Sequence, residues 1–101
     1  MKAKTKLEIF DFIRKSRSQL ELFGVNKIGI FGSFVRDEQT EESDIDILVD
    51  FYPDKVKYDN FIDLAFYLED SLERKVDLVT IGSLSPYIGP HILGEVEYVH
   101  L

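Results

Sequence analysis

The sequence predicts an α+β domain in which helices pack against one small sheet. Three runs have strand-like composition, Lys27–Phe31, Asp44–Phe51 and Lys75–Thr80, and two amphipathic helical patterns lie among them. The last two strands flank one helix, and this order implies a parallel pair joined by a right-handed crossover. At 101 residues, 45% of them hydrophobic, the chain is large enough to bury a core without disulfides.

The helical pattern is clearest in two segments. The first helix is predicted over residues 5–23, with Gly24 as its stop. Its apolar residues fall near one face: Ile9, Phe12, Ile13, Leu20 and Phe23. The second helix is predicted from Asn60 to about Glu73. Its buried stripe is expected to comprise Phe61, Leu64, Ala65, Leu68 and Leu72.

Turns and shorter pieces connect these elements. The first strand ends at a Gly-Ser turn, after which Ser33 to about Glu38 is predicted as one short helix that Ser33 can cap. Residues 39–42 form a polar, acidic loop, and Tyr52-Pro53-Asp54 ends the second strand. In the tail we expect a turn near 84–88, a new helix with Pro90 at its first position, and an apolar end at Tyr98-Val99.

Composition excludes several functional classes. The net charge of −7 argues against a long nucleic-acid partner, although six of the 12 basic residues lie in the first 17 positions. That basic cluster is interpreted as a solvated helix face, with contact to an acidic partner or to stray RNA as the alternative. There is no cysteine, which excludes disulfides and thiolate metal sites. No signal peptide or membrane span is predicted, and a cytoplasmic location is expected.

Two carboxylates interrupt the apolar second strand. Asp44 and Asp46 are two positions apart, so along an extended strand they point to the same face. Asp77 is similarly embedded in the third strand. A lone Asp beside a turn is ordinarily a cap, and an edge strand can hold one wet carboxylate. The three together, with Gly32-Ser33 at a suitable distance, favour a metal site instead.

The chemistry of these groups predicts metal-dependent nucleotide transfer. Carboxylate oxygens alone select a hard cation, so the expected metal is Mg²⁺ or Mn²⁺. Gly32 lets the backbone approach a phosphate closely, and amides at the start of the following helix favour bound phosphate. His91 and His100 lack metal-ligand spacing and are expected at the surface.

The motif resembles that of the minimal nucleotidyltransferases, the small prokaryotic branch of the DNA polymerase β-like nucleotidyltransferase superfamily. That branch has the pattern Gly-Ser-x-Ala-Arg-Gly, five residues, then Ser-Asp-x-Asp, with a third Asp in a later strand. The matching residues here are Gly32, Ser33, Arg36, Ser43, Asp44, Asp46 and Asp77. Val35 replaces the usual Ala, and Asp37 replaces the usual Gly and adds a negative charge near the expected phosphate site.

The resemblance implies a fold and a set of roles. The fold is a small mixed sheet backed by helices, like the polymerase β palm, with residues 1–101 forming one domain. Asp44 and Asp46 bind two metal ions, and Asp77 binds the one on the nucleophile side and can accept the hydroxyl proton. The phosphates are expected on Gly32, Ser33 and neighbouring amides, with Ser43 also in the nucleotide-binding set. Arg36 either reaches a phosphate or pairs with Glu41, Glu42 or Asp44.

The resemblance also implies a partner. Proteins of this branch are typically paired with a helical HEPN ribonuclease toxin, and some transfer AMP from ATP to a tyrosine of that toxin. A hetero-oligomer is therefore expected, and a homodimer is an alternative. Two other functions stay open: a non-catalytic antitoxin that acts by contact, and the catalytic subunit of a two-chain small-molecule nucleotidyltransferase. Tyr52, Tyr58 and the Asp54–Lys57 loop are the predicted partner-binding rim.

Overall fold

Four strands form one mixed sheet in the order β3-β2-β1-β4. The structure is a computed structural model that describes residues 2–101. Its strands are β1 (Val25–Phe31), β2 (Ile45–Phe51), β3 (Val76–Thr80) and β4 (Glu97–Val99). Strand β1 is antiparallel to both β2 and β4, whereas β2 and β3 are parallel. The predicted mixed α+β fold and its parallel crossover are therefore confirmed.

Helices cover one face of this sheet. They are α1 (Lys6–Lys15), α2 (Arg17–Leu22) and α3 (Tyr58–Leu72), while α4 (Gly89–Glu95) lies in the tail. The main core fills the space between the sheet and the first three helices. Its fully buried members include Ile9, Ile13, Leu20, Ile28, Ile30, Ile45, Ile47, Val49, Leu64 and Leu68. Within residues 2–101, no helix is both long and apolar enough to cross a bilayer.

The opposite face of the sheet has a thinner cover. Side chains alternate along β2, so Leu48 points away from the main core. It packs with Phe31 and Ile92 in a second, smaller buried cluster. Partly buried residues of the tail complete this cluster, among them Ile81, Leu84 and Val96. The tail of the chain therefore covers the second face of the sheet.

The predicted first helix is interrupted at Ser16. Its ψ of 11° departs from helical geometry, and the chain continues as α2 from the next residue. The Ser16 side chain is buried and accepts a hydrogen bond from the Tyr67 hydroxyl at 3.0 Å. Serine tolerates such a break because its hydroxyl supplies hydrogen bonds that a regular helix does not use.

Other boundaries also differ from the prediction. Strand β1 begins at Val25 rather than Lys27, and β2 begins at Ile45, which leaves Asp44 just before the strand. Helix α3 starts two residues earlier than expected. The tail helix is present, with Pro90 in its first turn. Strand β4 was not predicted, because three residues are too few to show an alternating pattern.

Candidate active site

The three candidate carboxylates lie at the same end of the parallel strand pair, and two of them are direct neighbours. Asp46 of β2 lies directly beside Asp77 of β3 in the strand register. Neighbouring strands are about 4.8 Å apart, so the two side chains leave the same face side by side. Asp44 precedes β2 by one residue and is exposed. The fold therefore brings Asp46 and Asp77 together, as the sequence predicted.

Asp46 has the most perturbed carboxyl group of the site. Burial first, then the charges of Asp77 and Asp44, raise its pKa from 3.8 to about 6, against a smaller opposing effect of Arg36. Among residues 2–101, none donates a hydrogen bond to any of the three carboxylates or pairs with one of them. A bound cation would relieve the repulsion among these carboxylates.

These donors fit a hard divalent cation by their chemistry. All are carboxylate oxygens, which Mg²⁺ and Mn²⁺ prefer. In the described part of the chain, however, no group of three or more acidic or histidine side chains is close enough to enclose a metal ion. The described side chains therefore match such a cation in their chemistry but do not by themselves form a closed site.

The turn after β1 touches the carboxylates directly. Gly32 begins a single 3₁₀ turn, Gly32–Phe34, and has a φ of +78°. A Cβ atom at this position would overlap the Asp46 carboxylate oxygen. Only glycine therefore satisfies both the backbone angle and the close packing on Asp46.

This turn is shorter than predicted. The expected helix from Ser33 to Glu38 is one 3₁₀ turn followed by a non-helical turn, and Ser33 caps nothing. Val35 and Arg36 direct their amides to the Gly32 carbonyl. The Ser33 amide and hydroxyl have no hydrogen-bond partner among residues 2–101. Two free donors thus lie beside the carboxylates.

Arg36 forms two ion pairs at the rim of the turn. Its Nε donates to Glu38 at 2.7 Å, and its Nη1 donates to Glu95 at 2.6 Å. The prediction that Arg36 pairs with Glu41, Glu42 or Asp44 is therefore wrong. The hydrogen bond with Glu38, followed by that with Glu95, raises the pKa of the Arg36 guanidinium.

Glu95 connects the tail to the turn. Its Oε1 accepts from the Gly32 amide at 2.5 Å, while its Oε2 binds Arg36. The Gly32 amide and then Arg36 hold the pKa of the Glu95 carboxyl below its usual range. Sequence reasoning missed this residue because an isolated Glu at the end of a short tail helix has no motif.

Asp37 adopts a left-handed backbone conformation with a φ of 59°. Glycine occupies this conformation without strain, and Asp and Asn are the other residues that tolerate it. The departure from the family motif is thus compatible with the turn. It leaves one additional exposed negative charge close to Arg36.

Arg74 is a second residue that sequence reasoning missed. It is 8% exposed, and its guanidinium donates to the carbonyls of Ala3 and of three residues of the loop before Asp44. Those loop residues are Thr40, Glu41 and Ser43. The guanidinium also lies 5.1 Å from the centre of the Phe34 ring. Arg74 therefore joins the Gly32–Phe34 turn to the segment that delivers Asp44.

Ser43 has a local structural use. Its Oγ accepts a hydrogen bond from the Thr40 amide at 2.8 Å, and its carbonyl accepts from Arg74. This arrangement closes the acidic loop one residue before Asp44. The side chain is thus already engaged within its own loop.

The predicted partner-binding rim lies away from the carboxylates. Residues 52–58 follow the far end of β2, and five residues from Asp46 to Phe51 span roughly 17 Å. A cavity of about 310 Å³ lies at this end, and its lining includes Phe51, Tyr58 and Leu78. Phe51 and Leu78 belong to the helix-covered side of the sheet. The expectation that this loop borders the active site is therefore wrong, and the cavity is not the active site.

Comparison with known proteins supports the class that this geometry indicates. The model of the nucleotidyltransferase domain family matches residues 12–99. A solved chain provisionally described as a minimal nucleotidyltransferase superposes with a TM-score of 0.71 at 28% identity. The match covers 87% of this chain and 93% of that one. The sheet and its helices thus form a nucleotidyltransferase fold.

Two further proteins are informative. A protein adenylyltransferase, MntA, of Thermococcus cleftensis is 47% identical over 95 residues, covering 91% of this chain and 93% of the relative. A chain from a toxin–antitoxin crystal structure with AMP-PNP gives a TM-score of 0.69 at 26% identity. That match covers 85% of this chain and 71% of the other. The chain described here belongs to the nucleotidyltransferase domain family, and it is an enzyme of the nucleotidyltransferase class.

Proposed function

We propose that this chain transfers AMP from ATP to a hydroxyl of a partner protein, acting as the antitoxin of a toxin–antitoxin pair. The observation that carries the proposal is the contact of three elements. Asp46 and Asp77 lie side by side, and the Gly32 turn with its free Ser33 donors packs directly on Asp46. One relative is named a protein adenylyltransferase, and one structurally similar chain comes from a toxin–antitoxin structure with AMP-PNP.

The residues divide into two groups by their chemistry. The Ser33 amide and hydroxyl are donors, suited to the terminal phosphates of ATP, and the Arg36 guanidinium, paired with Glu38 and Glu95, lies at the same turn. Asp44, Asp46 and Asp77 are acceptors, suited to Mg²⁺. When bound, Mg²⁺ supplies charge neutralisation for the α-phosphate and the departing pyrophosphate. The Ser43 side chain is engaged with Thr40, so we assign it to support of the loop.

The transfer step balances with these groups. The acceptor hydroxyl oxygen forms a bond to the α-phosphorus while the bond from that phosphorus to the pyrophosphate oxygen breaks. The hydroxyl proton goes to Asp77, and pyrophosphate leaves with the electron pair of the broken bond. The chain's contribution is positioning: the turn fixes the phosphates, and β2 and β3 fix the carboxylates on the opposite side of the reacting phosphorus.

The acceptor must reach the sheet face that carries the carboxylates. The tail covers that face, and three of its apolar side chains are at least half exposed: Tyr87, Ile88 and Leu93. We assign the acceptor protein, a HEPN-type toxin with a tyrosine as the modified residue, to this side. The loop that contains Lys55 and Lys57 lies too far away to take part.

The decisive experiment combines the chain, Mg²⁺, ATP labelled at the α-phosphate, and the HEPN-type protein encoded beside it. Label on that protein is expected, and chelation of Mg²⁺ should abolish it. Tight binding without label would indicate a contact antitoxin, and label on a small molecule would indicate a two-chain small-molecule transferase. Either of these results contradicts the proposal.

Matched variants make this experiment specific. The double substitution Asp44→Ala and Asp46→Ala should remove all labelling. The control is Asp50→Ala with Asp54→Ala, which removes the same charge at the far end of β2 and should leave labelling intact. Charge reversal at Lys55 and Lys57 should also leave it intact. In a thermal-shift measurement, ATP and Mg²⁺ together should stabilise the wild type more than the sum of each alone.

A further inference from the structure

Glu95 binds both ends of the turn from Gly32 to Arg36. One carboxylate oxygen accepts from the amide of the first residue, and the other accepts from the guanidinium of the fifth, at 2.5 and 2.6 Å. Both hydrogen bonds have an ionised acceptor, which makes them stronger than a bond between two neutral groups. The Glu95 side chain is only 27% exposed, so water competes weakly for these bonds.

Glu95 does not bind the donors that lie between these two ends of the turn. Ser33 keeps its amide and hydroxyl without a partner among residues 2–101, although a strong acceptor lies on both sides of it. Glu95 thus fixes the ends of the turn and does not consume the donors suited to phosphate. A carboxylate that blocked the site would be expected to occupy the Ser33 donors as well.

The turn needs an external support. It consists of a single 3₁₀ turn, and Gly32 loses more conformational freedom on ordering than any other residue would. Arg36 is half exposed, with a long side chain that has many rotamers in water. The α4 segment supplies the support, because Ile92 anchors it to Leu48 and Phe31 in the buried cluster on the same sheet face.

We propose that Glu95 is a positioning residue that holds the Gly32–Arg36 turn in its phosphate-binding shape. This inference rests on the proposed function, since the ligand of the turn is the triphosphate of ATP. Glu95 already has both of its carboxylate oxygens engaged by the Gly32 amide and the Arg36 guanidinium. It acts through the Gly32 amide and the Arg36 side chain, and it makes the C-terminal tail part of the nucleotide site.

The test compares three variants by calorimetric titration with ATP and Mg²⁺ and by steady-state transfer. Glu95→Ala should weaken ATP binding about tenfold, which corresponds to about 1.4 kcal/mol, and raise KM by the same factor with kcat within about threefold. Glu95→Gln keeps an acceptor for the Gly32 amide, so it should lose only about threefold. Glu97→Gln is the control: it removes the same charge in the same tail, where the residue pairs, among residues 2–101, only with Lys6.

A readout without nucleotide keeps the two proposals separate. In the ¹⁵N–¹H NMR spectrum, loss of the Glu95 bond should shift the Gly32 and Ser33 amide resonances in Glu95→Ala but not in Glu97→Gln. If Glu95→Ala shows this shift but the wild-type protein binds no ATP, the proposed function fails while the contact of Glu95 with the turn is upheld. Tighter ATP binding in Glu95→Ala, or unchanged amides and unchanged affinity, would overturn the positioning role. If Glu95→Ala does not fold, Glu95→Gln provides the same comparison.

Discussion

The two faces of the sheet differ in what covers them. On one face, three helices bury a large apolar core, and every β2 side chain that points there is hydrophobic. On the other face, the same strand carries Asp46 and Asp50 around a single buried Leu48, under a thin cover from the tail. The first face provides stability, which allows the second to hold mutually repelling carboxylates. One strand thus serves both purposes because its side chains alternate between the two faces of the sheet.

The largest expected effect is on chemistry at the second face. Asp46→Asn keeps the side-chain shape but removes the charge, and we expect transfer to fall by at least about 10³-fold, or about 4 kcal/mol. Folding should not suffer, because the repulsion from Asp77 and Asp44 disappears. Single-turnover transfer and thermal melting check both parts. Asp50→Asn, on the same face of the same strand, is the control and should transfer at the wild-type rate.

A pair of adjacent core substitutions compares the faces directly. Ile47 and Leu48 are both fully buried neighbours in β2, but they point to opposite faces. Ile47→Ala should cost about 3–4 kcal/mol of unfolding free energy, with unchanged KM for ATP in the folded fraction.

Leu48→Ala should cost about 1 kcal/mol less, because the thinner tail layer can collapse around the cavity more easily. It should, however, raise KM several-fold, since it loosens the segment that carries Glu95. Denaturant unfolding and steady-state kinetics provide the two measurements. Equal KM values in the two variants would show that the tail does not support the nucleotide site.

The pH dependence of stability should be opposite to that of an ordinary surface carboxylate. Because the pKa of Asp46 is raised from 3.8 to about 6 on folding, the folded protein binds more protons than the unfolded chain within that window. Metal-free protein should therefore lose stability as pH rises from 4 to 6, by about 1–2 kcal/mol after allowance for solvent screening.

Denaturant titrations across this pH range, run with Asp46→Asn in parallel, isolate the contribution of Asp46. The variant should lack the loss, and its advantage over the wild type should be largest above pH 6. Transfer activity should show the converse dependence, because a cation site needs the ionised carboxylate. Stability that rises between pH 4 and 6 in the wild type relative to Asp46→Asn would contradict this account.

The smallest expected effect concerns the motif departure. Asp37→Gly restores the usual residue at a φ of 59°, so stability should change by less than about 0.5 kcal/mol. Removal of one negative charge near the phosphate site should tighten ATP binding about twofold to threefold, through a screened surface interaction. Asp37→Asn tests charge alone, because it retains a side chain suited to this backbone conformation. A tenfold gain would mean that Asp37 contacts the nucleotide.

Much of the fold followed from the sequence because its evidence is local. The alternation of β2 and the stripe of α3 each span a continuous run, and a parallel crossover follows from their order. Asp46 and Asp77 could be placed together for the same reason. Glu95 and Arg74 could not, because each acts on residues at least 30 positions away and neither interrupts a hydrophobic pattern. The break at Ser16 also depends on a tertiary contact, the Tyr67 hydroxyl.

The Arg74 contacts have a consequence for the dynamics of the acidic loop. Residues 40–43 are polar and mostly exposed, a composition that usually gives rapid local opening. Here three of their carbonyl groups accept hydrogen bonds from the buried Arg74 guanidinium. The same guanidinium also donates to the segment before α1. To open, the loop therefore has to break these hydrogen bonds and leave the buried guanidinium without those acceptors. Its hydrogen-exchange rate should consequently follow sub-global unfolding of the domain, so that the residues leading into Asp44 remain ordered as long as the fold itself persists.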